Sequence, residues 1–474
     1  MAVKTQPSQM QEENMMSMRI KKRNINTYIV CTFTILSLFL SACNGTSEGT
    51  SGDSSGKKQI VLATMSQNRF LDFAKEKYEA LHPDIEIVYN VYQEMDIREM
   101  GNMAQISMPS KEDQEKYIST INTEMMSGAG PDILDTTELP VDKYKEKNML
   151  ANLYDMMDQD QDFNKNEYFQ NIWKSTELDG GLYTFPVNFL LQMLNANDEL
   201  LKQGGVQLQE PLSWDDILTA TEQVRQAVGK DVSAISESSP EDLASELVSL
   251  YYSQLVDSKN KKAYFDSDDS RRLILKVKEI FDRGFAGAGM SDIQSMEDYT
   301  EKMKLTIFSP SYISDPTSFA LSDTLYSQPS FDGKNEELAF RTLLNLGINA
   351  NSAMKQEAWD FLKFLVSEEM QQAPARIGLP INKQVYNEMF DRMLDDVKKN
   401  GSVTTPRGEE PVTVTPEQLE SMRPLAEKAN QKSSGDPKIL DIFRTEIAPY
   451  FAGQKSLDDV LRIIQSKVTT YLNE

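Results

Sequence analysis

Gln59-Ile60-Val61-Leu62-Ala63-Thr64 and Ile85-Glu86-Ile87-Val88-Tyr89 are two short apolar runs with one amphipathic stretch between them. In that stretch Phe70, Phe73, Ala74, Tyr78 and Leu81 recur at intervals of three and four residues, the period of a helix with one buried face. Strand, helix, strand within about 30 residues is a βαβ unit, and a βαβ unit implies a parallel sheet. The expected fold class is therefore α/β.

The pattern continues downstream. A helix over Glu115 to Met126 runs into Ser127-Gly128-Ala129-Gly130, where glycine supplies the C-cap, and Pro131-Asp132-Ile133-Leu134-Asp135 opens another strand. Tyr183 to Val187 and Leu190 to Asn195 read as extended, as does Leu346 to Asn349. Glu199–Gln203, Trp214–Val228, Glu241–Leu255, Ser270–Arg283 and Lys355–Leu365 read as helices, and the last 90 residues are helical by pattern. No internal repeat and no coiled-coil heptad is present.

Upstream of the first strand, residues 44–57 are a Gly/Ser/Thr tract without an apolar residue, the composition of a flexible spacer. Before it stand a basic stretch, Arg19-Ile20-Lys21-Lys22-Arg23, and a largely apolar run from Tyr28 to Ala42. Charged, apolar and small-residue parts in that order make a secretory signal. The run has 15 residues, short of the ~20 that a membrane span needs. Its end, Leu40-Ser41-Ala42-Cys43, resembles the lipobox of bacterial lipoproteins, which implies that Cys43 is the first mature residue and carries lipid on its sulfur. The only other cysteine, Cys31, lies inside the apolar run. Met15, Met16 and Met18 offer alternative starts to Met1.

Residues 43–474 number 432, enough for two lobes or domains. The 42 residues before Cys43 hold five basic and two acidic side chains, which leaves 44 basic and 71 acidic groups, a net charge of −27. Such a surface repels nucleic acid and anionic lipid and suits a neutral or cationic ligand. One histidine, His82, removes Ser-His-Asp, Cys-His and His-rich metal chemistries unless His82 itself serves. Its setting, Leu81-His82-Pro83-Asp84, is that of a helix end before proline. Asp158-Gln159-Asp160-Gln161-Asp162 imitates the opening of an EF-hand loop, yet Phe163 and Phe169 occupy the positions of the obligatory glycine and glutamate. No metal and no cofactor is expected.

Four stretches, in order, resemble the extracellular solute-binding proteins of bacterial ABC importers, the group that includes maltose-binding protein. They are Gly130-Pro131-Asp132-Ile133; Gly180-Gly181-Leu182-Tyr183-Thr184-Phe185-Pro186 leading through Leu194-Asn195-Ala196-Asn197; Pro211-Leu212-Ser213-Trp214-Asp215-Asp216-Ile217; and Gly347-Ile348-Asn349-Ala350-Asn351-Ser352 running on to Trp359 and Leu362. Gly378-Leu379-Pro380-Ile381-Asn382-Lys383 follows, where this family commonly returns between lobes. The resemblance implies a two-lobed, type II periplasmic-binding-protein-like fold that closes on a ligand at hinge crossings. The implied layout is residues 1–42 as signal peptide, 43–57 as lipidated cysteine and linker, 58–188 plus 347–385 as the first lobe, and 192–342 plus 388–474 as the second. Crossings are expected near 188–192, 342–347 and 383–390.

The resemblance further implies a monomeric, lipid-anchored, non-enzymatic subunit on the outer face of the cell membrane. It would capture a small solute, foremost a sugar, and present it to ABC permease subunits. Ligands of open α/β sheets sit beyond the carboxyl ends of strands, which singles out Gln67 and Asn68 after the first strand and Thr136 and Glu138 after the third. At the expected cleft the family also places polar groups at the position of Asn188, and an aromatic where Ser311 and Tyr312 stand; Phe189-Leu190-Leu191 departs from the acidic pattern of the maltose-binding type. Trp173, Trp214 and Trp359 read as packing. Two rivals remain open here: a sensory binding lipoprotein that serves a receptor, and a surface glycoside hydrolase, which needs two carboxylates about 5–10 Å apart.

Overall fold

The computed structural model describes residues 56–474, except 94–96, 101–102, 107–109, 237–238, 288–294, 321–323, 331–333, 335–336, 403–413 and 434. The expected signal peptide, the expected lipidation site Cys43 and the expected linker up to residue 55 lie outside the described residues. The βαβ unit is present as strand Lys58–Ser66, helix Arg69–Leu81 and strand Ile85–Gln93. The two strands pair in parallel from Lys58 opposite Ile85 to Ser66 opposite Gln93, and Ile133–Asp135 joins the other edge of the first strand, also in parallel. His82 ends the helix, its N–H donating to the Tyr78 carbonyl while its ring lies over the Tyr78 ring at 4.2 Å.

Two long strands carry the architecture. Phe185–Ala196 and Leu338–Ile348 run antiparallel to each other, Phe340 opposite Leu191 and Leu346 opposite Phe185. At its far end Phe185–Ala196 pairs instead with Thr306–Ile313, which continues in parallel to Ser233–Ser236 and Ala286–Gly287. One sheet therefore passes without interruption from one lobe to the other. Ile60, Leu62, Trp173, Phe185, Phe189 and Trp359 belong to a first apolar core, and Leu194, Ala196, Trp214, Phe308 and Phe443 to a second, so the strand crosses cores between Met193 and Leu194.

Local signals set the helices. Ser213 and Asp216 form a reciprocal capping box in front of Trp214–Val228, and Ser110 with Asp113 does the same for Lys111–Ser127, which Gly128 ends at φ 77°. The stretch expected as one helix over Glu241–Leu255 is two, Pro240–Leu250 and Tyr252–Leu255, broken at Tyr251. Asp160 in the acidic loop accepts from Trp359 Nε1 (2.9 Å) and pairs with Lys363 (2.6 Å), which pins that loop to the helix Lys355–Leu365.

The third crossing differs from expectation. Residues 383–390 begin the helix Lys383–Asn400, whose Tyr386 and Phe390 sit in the first core together with Ala426 and Ala429. The chain passes over later, through the strand Ala429–Lys432 beside Leu338–Phe340 and into the helix Pro437–Phe451, which packs in the second core. Four residues of strand in a helical stretch carry too little periodicity to be read from the sequence.

Candidate functional site

Where Ile133–Asp135 ends, the chain turns through Thr136-Thr137-Glu138 and opens a cleft of about 990 Å³ between the lobes. One wall comes from this turn, the helix Val141–Glu146 and residues 175–179; the other comes from Tyr252, Ser253, residues 256–259 and Tyr264. The floor is made by the crossings, through Arg341, Thr342, Asn345, Lys432, Ser433 and Gly435. This is the position that strand direction predicts for a ligand.

Thr136 and Glu138 line the cleft. Thr136 is buried and tied in: its N–H donates to the Asn345 carbonyl (2.8 Å), and its hydroxyl lies 2.7 Å from that of Thr184. Glu138 accepts from the Gln114 amide; burial raises its pKa and that bond works the other way. Asp135, just behind, is pushed up to about 6 by burial, against the Thr137 hydroxyl and N–H that hold it.

The other expected residues lie off the cleft wall. Asn68 caps the helix Arg69–Leu81, accepting from the N–H groups of Phe70 and Leu71, and Gln67 donates to Asp72 (2.9 Å). Asn188 is buried on the crossing strand and donates to the Ile377 carbonyl (2.7 Å). Tyr312, beside Ser311, donates its hydroxyl to Glu246 (3.1 Å) and packs its ring under the Arg341 guanidinium at 5.1 Å. Gln192 donates to the same Glu246 oxygen (2.9 Å) and accepts from Arg341 Nε (3.2 Å). These polar groups satisfy one another, and only Arg341 of the four reaches the cleft.

Groups not singled out from sequence provide the open valences. Tyr252, Asn345 and Ser433 line the cleft, and among the described residues Asn345 Oδ1 and Ser433 Oγ are buried without a partner, while the Tyr252 oxygen faces the Asp436 N–H and its proton has no acceptor. Leaving such an atom unsatisfied costs about 1–3 kcal/mol. Lys432 Nζ makes no hydrogen bond or ion pair among the described residues; burial pushes its pKa down to about 8, with Asp142 pulling the other way. Tyr264 offers a ring that remains 39% exposed in the cleft. A stacking face, hydroxyl and amide groups and one cation form a surface that binds a polar solute.

The lobes meet across the mouth. Lys259 pairs with Asp179 (3.3 Å), Lys261 with Glu146 (3.0 Å) and Lys111 with Asp441 (2.6 Å). Lys143 donates to the Tyr471 carbonyl (2.9 Å) and sits 3.7 Å above that ring.

Among solved structures, the sugar-binding protein MalE of Xanthomonas citri superposes with a TM-score of 0.61 at 14% identity, covering 88% of this chain and 98% of the other. An ABC substrate-binding protein of Listeria monocytogenes in complex with cycloalternan gives 0.57 at 16%, covering 88% and 99%. A periplasmic oligogalacturonide binding protein of Yersinia enterocolitica gives 0.55 at 15%, covering 88% and 99%. At these identities the likeness establishes the two-lobed fold. A comparison with curated protein sequences gives no match. Among the described residues no helix is long and apolar enough to cross a membrane. Residues 99–405, more than half of the chain, match the family described as bacterial extracellular solute-binding protein, and the chain belongs to that family.

Proposed function

We propose that this protein is the capture subunit of an ABC importer for a small carbohydrate, tethered to the outer face of the cell membrane by lipid on Cys43. The observation that carries the reading is the set of buried polar atoms on Tyr252, Asn345 and Ser433, left with unmet hydrogen-bonding capacity where the lobes meet. Buried with no partner for that capacity among the described residues, they are desolvated without a compensating hydrogen bond. A polyhydroxylated ligand gives each a partner and so binds the closed state more tightly, which is the only way a ligand shifts such an equilibrium. Thr136 and Glu138 stand on the same wall, and Tyr264 supplies the ring on which the apolar face of a sugar stacks. The closed form is then the one presented to a permease.

The test is a thermal-shift screen of residues 58–474 against mono- and oligosaccharides, polyols and polyamines. A bound ligand at 100 times its Kd adds about 2.7 kcal/mol of stability. A rise in Tm with sugars is expected; no response to any sugar, with a response to another solute, would reject the carbohydrate.

A further inference from the structure

Every carboxylate on the cleft wall is already engaged. Glu138 accepts from Gln114, Glu177 from the Tyr154 hydroxyl (2.7 Å), and Asp257 from Asn260 (2.7 Å). Glu146 and Asp179 pair with lysines, and Asp142 is held by the Ser258 side chain. Asp436 accepts the Tyr471 hydroxyl (2.9 Å) and caps the helix Pro437–Phe451 through the N–H groups of Lys438 and Ile439. Three of the four cleft cations are engaged as well: Lys145 and Lys259 share Asp179, and Arg341 faces Glu246 at 3.7 Å.

What is left over among the described residues is three donors against one acceptor, Asn345 Oδ1. Lys432 Nζ is the cleft cation without an ion pair among the described residues, and the next residue, Ser433, has its hydroxyl unpartnered and is only 4% exposed. The Ser433 N–H is fixed on the Phe340 carbonyl (2.8 Å), so this stretch is held in place by the crossing strand. Tyr252, whose hydroxyl is the third free donor, packs its ring on the same stretch: a Cβ on Gly435 would come within 2.7 Å of it. A ring hydroxyl of a neutral sugar needs both a donor and an acceptor, whereas an ammonium and two hydroxyls with their protons to give match an acceptor-only group bearing charge.

We propose that the solute carries a carboxylate, making it an acidic sugar of the uronate class, and that Lys432 receives this carboxylate with Ser433 and Tyr252 as neutral donors. Asn345 Oδ1, the free acceptor, takes a neighbouring ring hydroxyl. This inference rests on the carbohydrate reading above.

The experiment is calorimetric titration of the mature chain with glucuronate, galacturonate and their disaccharides, each against the neutral sugar of the same configuration. A preference of tenfold or more for the acid is expected. Lys432→Met should remove that preference by weakening the acid at least tenfold more than the neutral sugar, and Lys432→Arg should retain most of it, with circular dichroism confirming both folds. Tighter binding of a neutral sugar, or equal weakening of both classes by K432M, would overturn the carboxylate assignment and leave carbohydrate capture standing. Absence of binding by every sugar, charged or neutral, would overturn both.

Discussion

Two tyrosines on the second lobe's side of the molecule make the central contrast. Tyr312 lies in a closed circuit with Glu246, Arg341 and Gln192, in which each polar group has found its complement. Tyr252 lies in an open one: its ring packs against Gly435, and in the same cleft Ser433 and Lys432 leave further donors without acceptors among the described residues. Both sites are partly buried, polar and close to the crossing strands. Completeness separates them: a satisfied network stiffens the framework, and an unsatisfied one is stable only with a visitor.

Breaking the closed circuit should give the largest effect. Glu246→Ala removes the shared acceptor of three groups and should cost about 2 kcal/mol, read as a lower denaturation midpoint with an unchanged slope. The open circuit should respond in the opposite direction. Lys432→Met removes an unpaired recessed charge and should stabilise the empty protein by about 1–2 kcal/mol at pH 7. The sign follows from linkage: with a folded pKa near 8 and a reference value of 10.5, the unfolded chain binds more protons between those values. Stability of the unsubstituted protein should therefore rise as pH climbs through 8 toward 10.5, and its deficit against K432M should close over that window. A midpoint that K432M lowers would place Lys432 in the framework instead.

Tyr252→Phe should weaken ligand binding by about tenfold, or roughly 1.4 kcal/mol, while raising Tm, because the buried hydroxyl proton has no acceptor among the described residues and its removal relieves that cost. Tyr312→Phe should be the mildest, below about 0.5 kcal/mol in stability and without effect on ligand affinity, since Glu246 keeps its other donors. If Y312F rather than Y252F weakens binding, the contrast fails.

The limits of the sequence follow the same line. Trp214–Val228 and Lys355–Leu365 were legible to the residue because their apolar period is local, and the first is also bounded by the Ser213 capping box and Gly229. The position of Thr136 and Glu138 on the cleft was legible because a turn after a parallel strand has a defined place in the fold. Tyr312 lies off the cleft wall where the sequence placed it on the cleft, because its partner Glu246 comes from a helix distant in sequence and nothing local says that its hydroxyl is engaged. Lys432 and Ser433 escaped because their strand has four residues. Being unpartnered is also a property of all the surroundings together, which no spacing encodes.

The strand Leu338–Ile348 slips register against Phe185–Ala196 between Thr342 and Leu344 and again between Leu344 and Asn345. Such irregularities concentrate bending and re-aim the side chain that follows. Asn345, at the second slip, contributes both its carbonyl to Thr136 and its free Oδ1 to the cleft. Under the function proposed above, fulcrum and sensor would be one residue, and a ligand gripping Asn345 would pull on the pivot itself rather than on the ends of the lever.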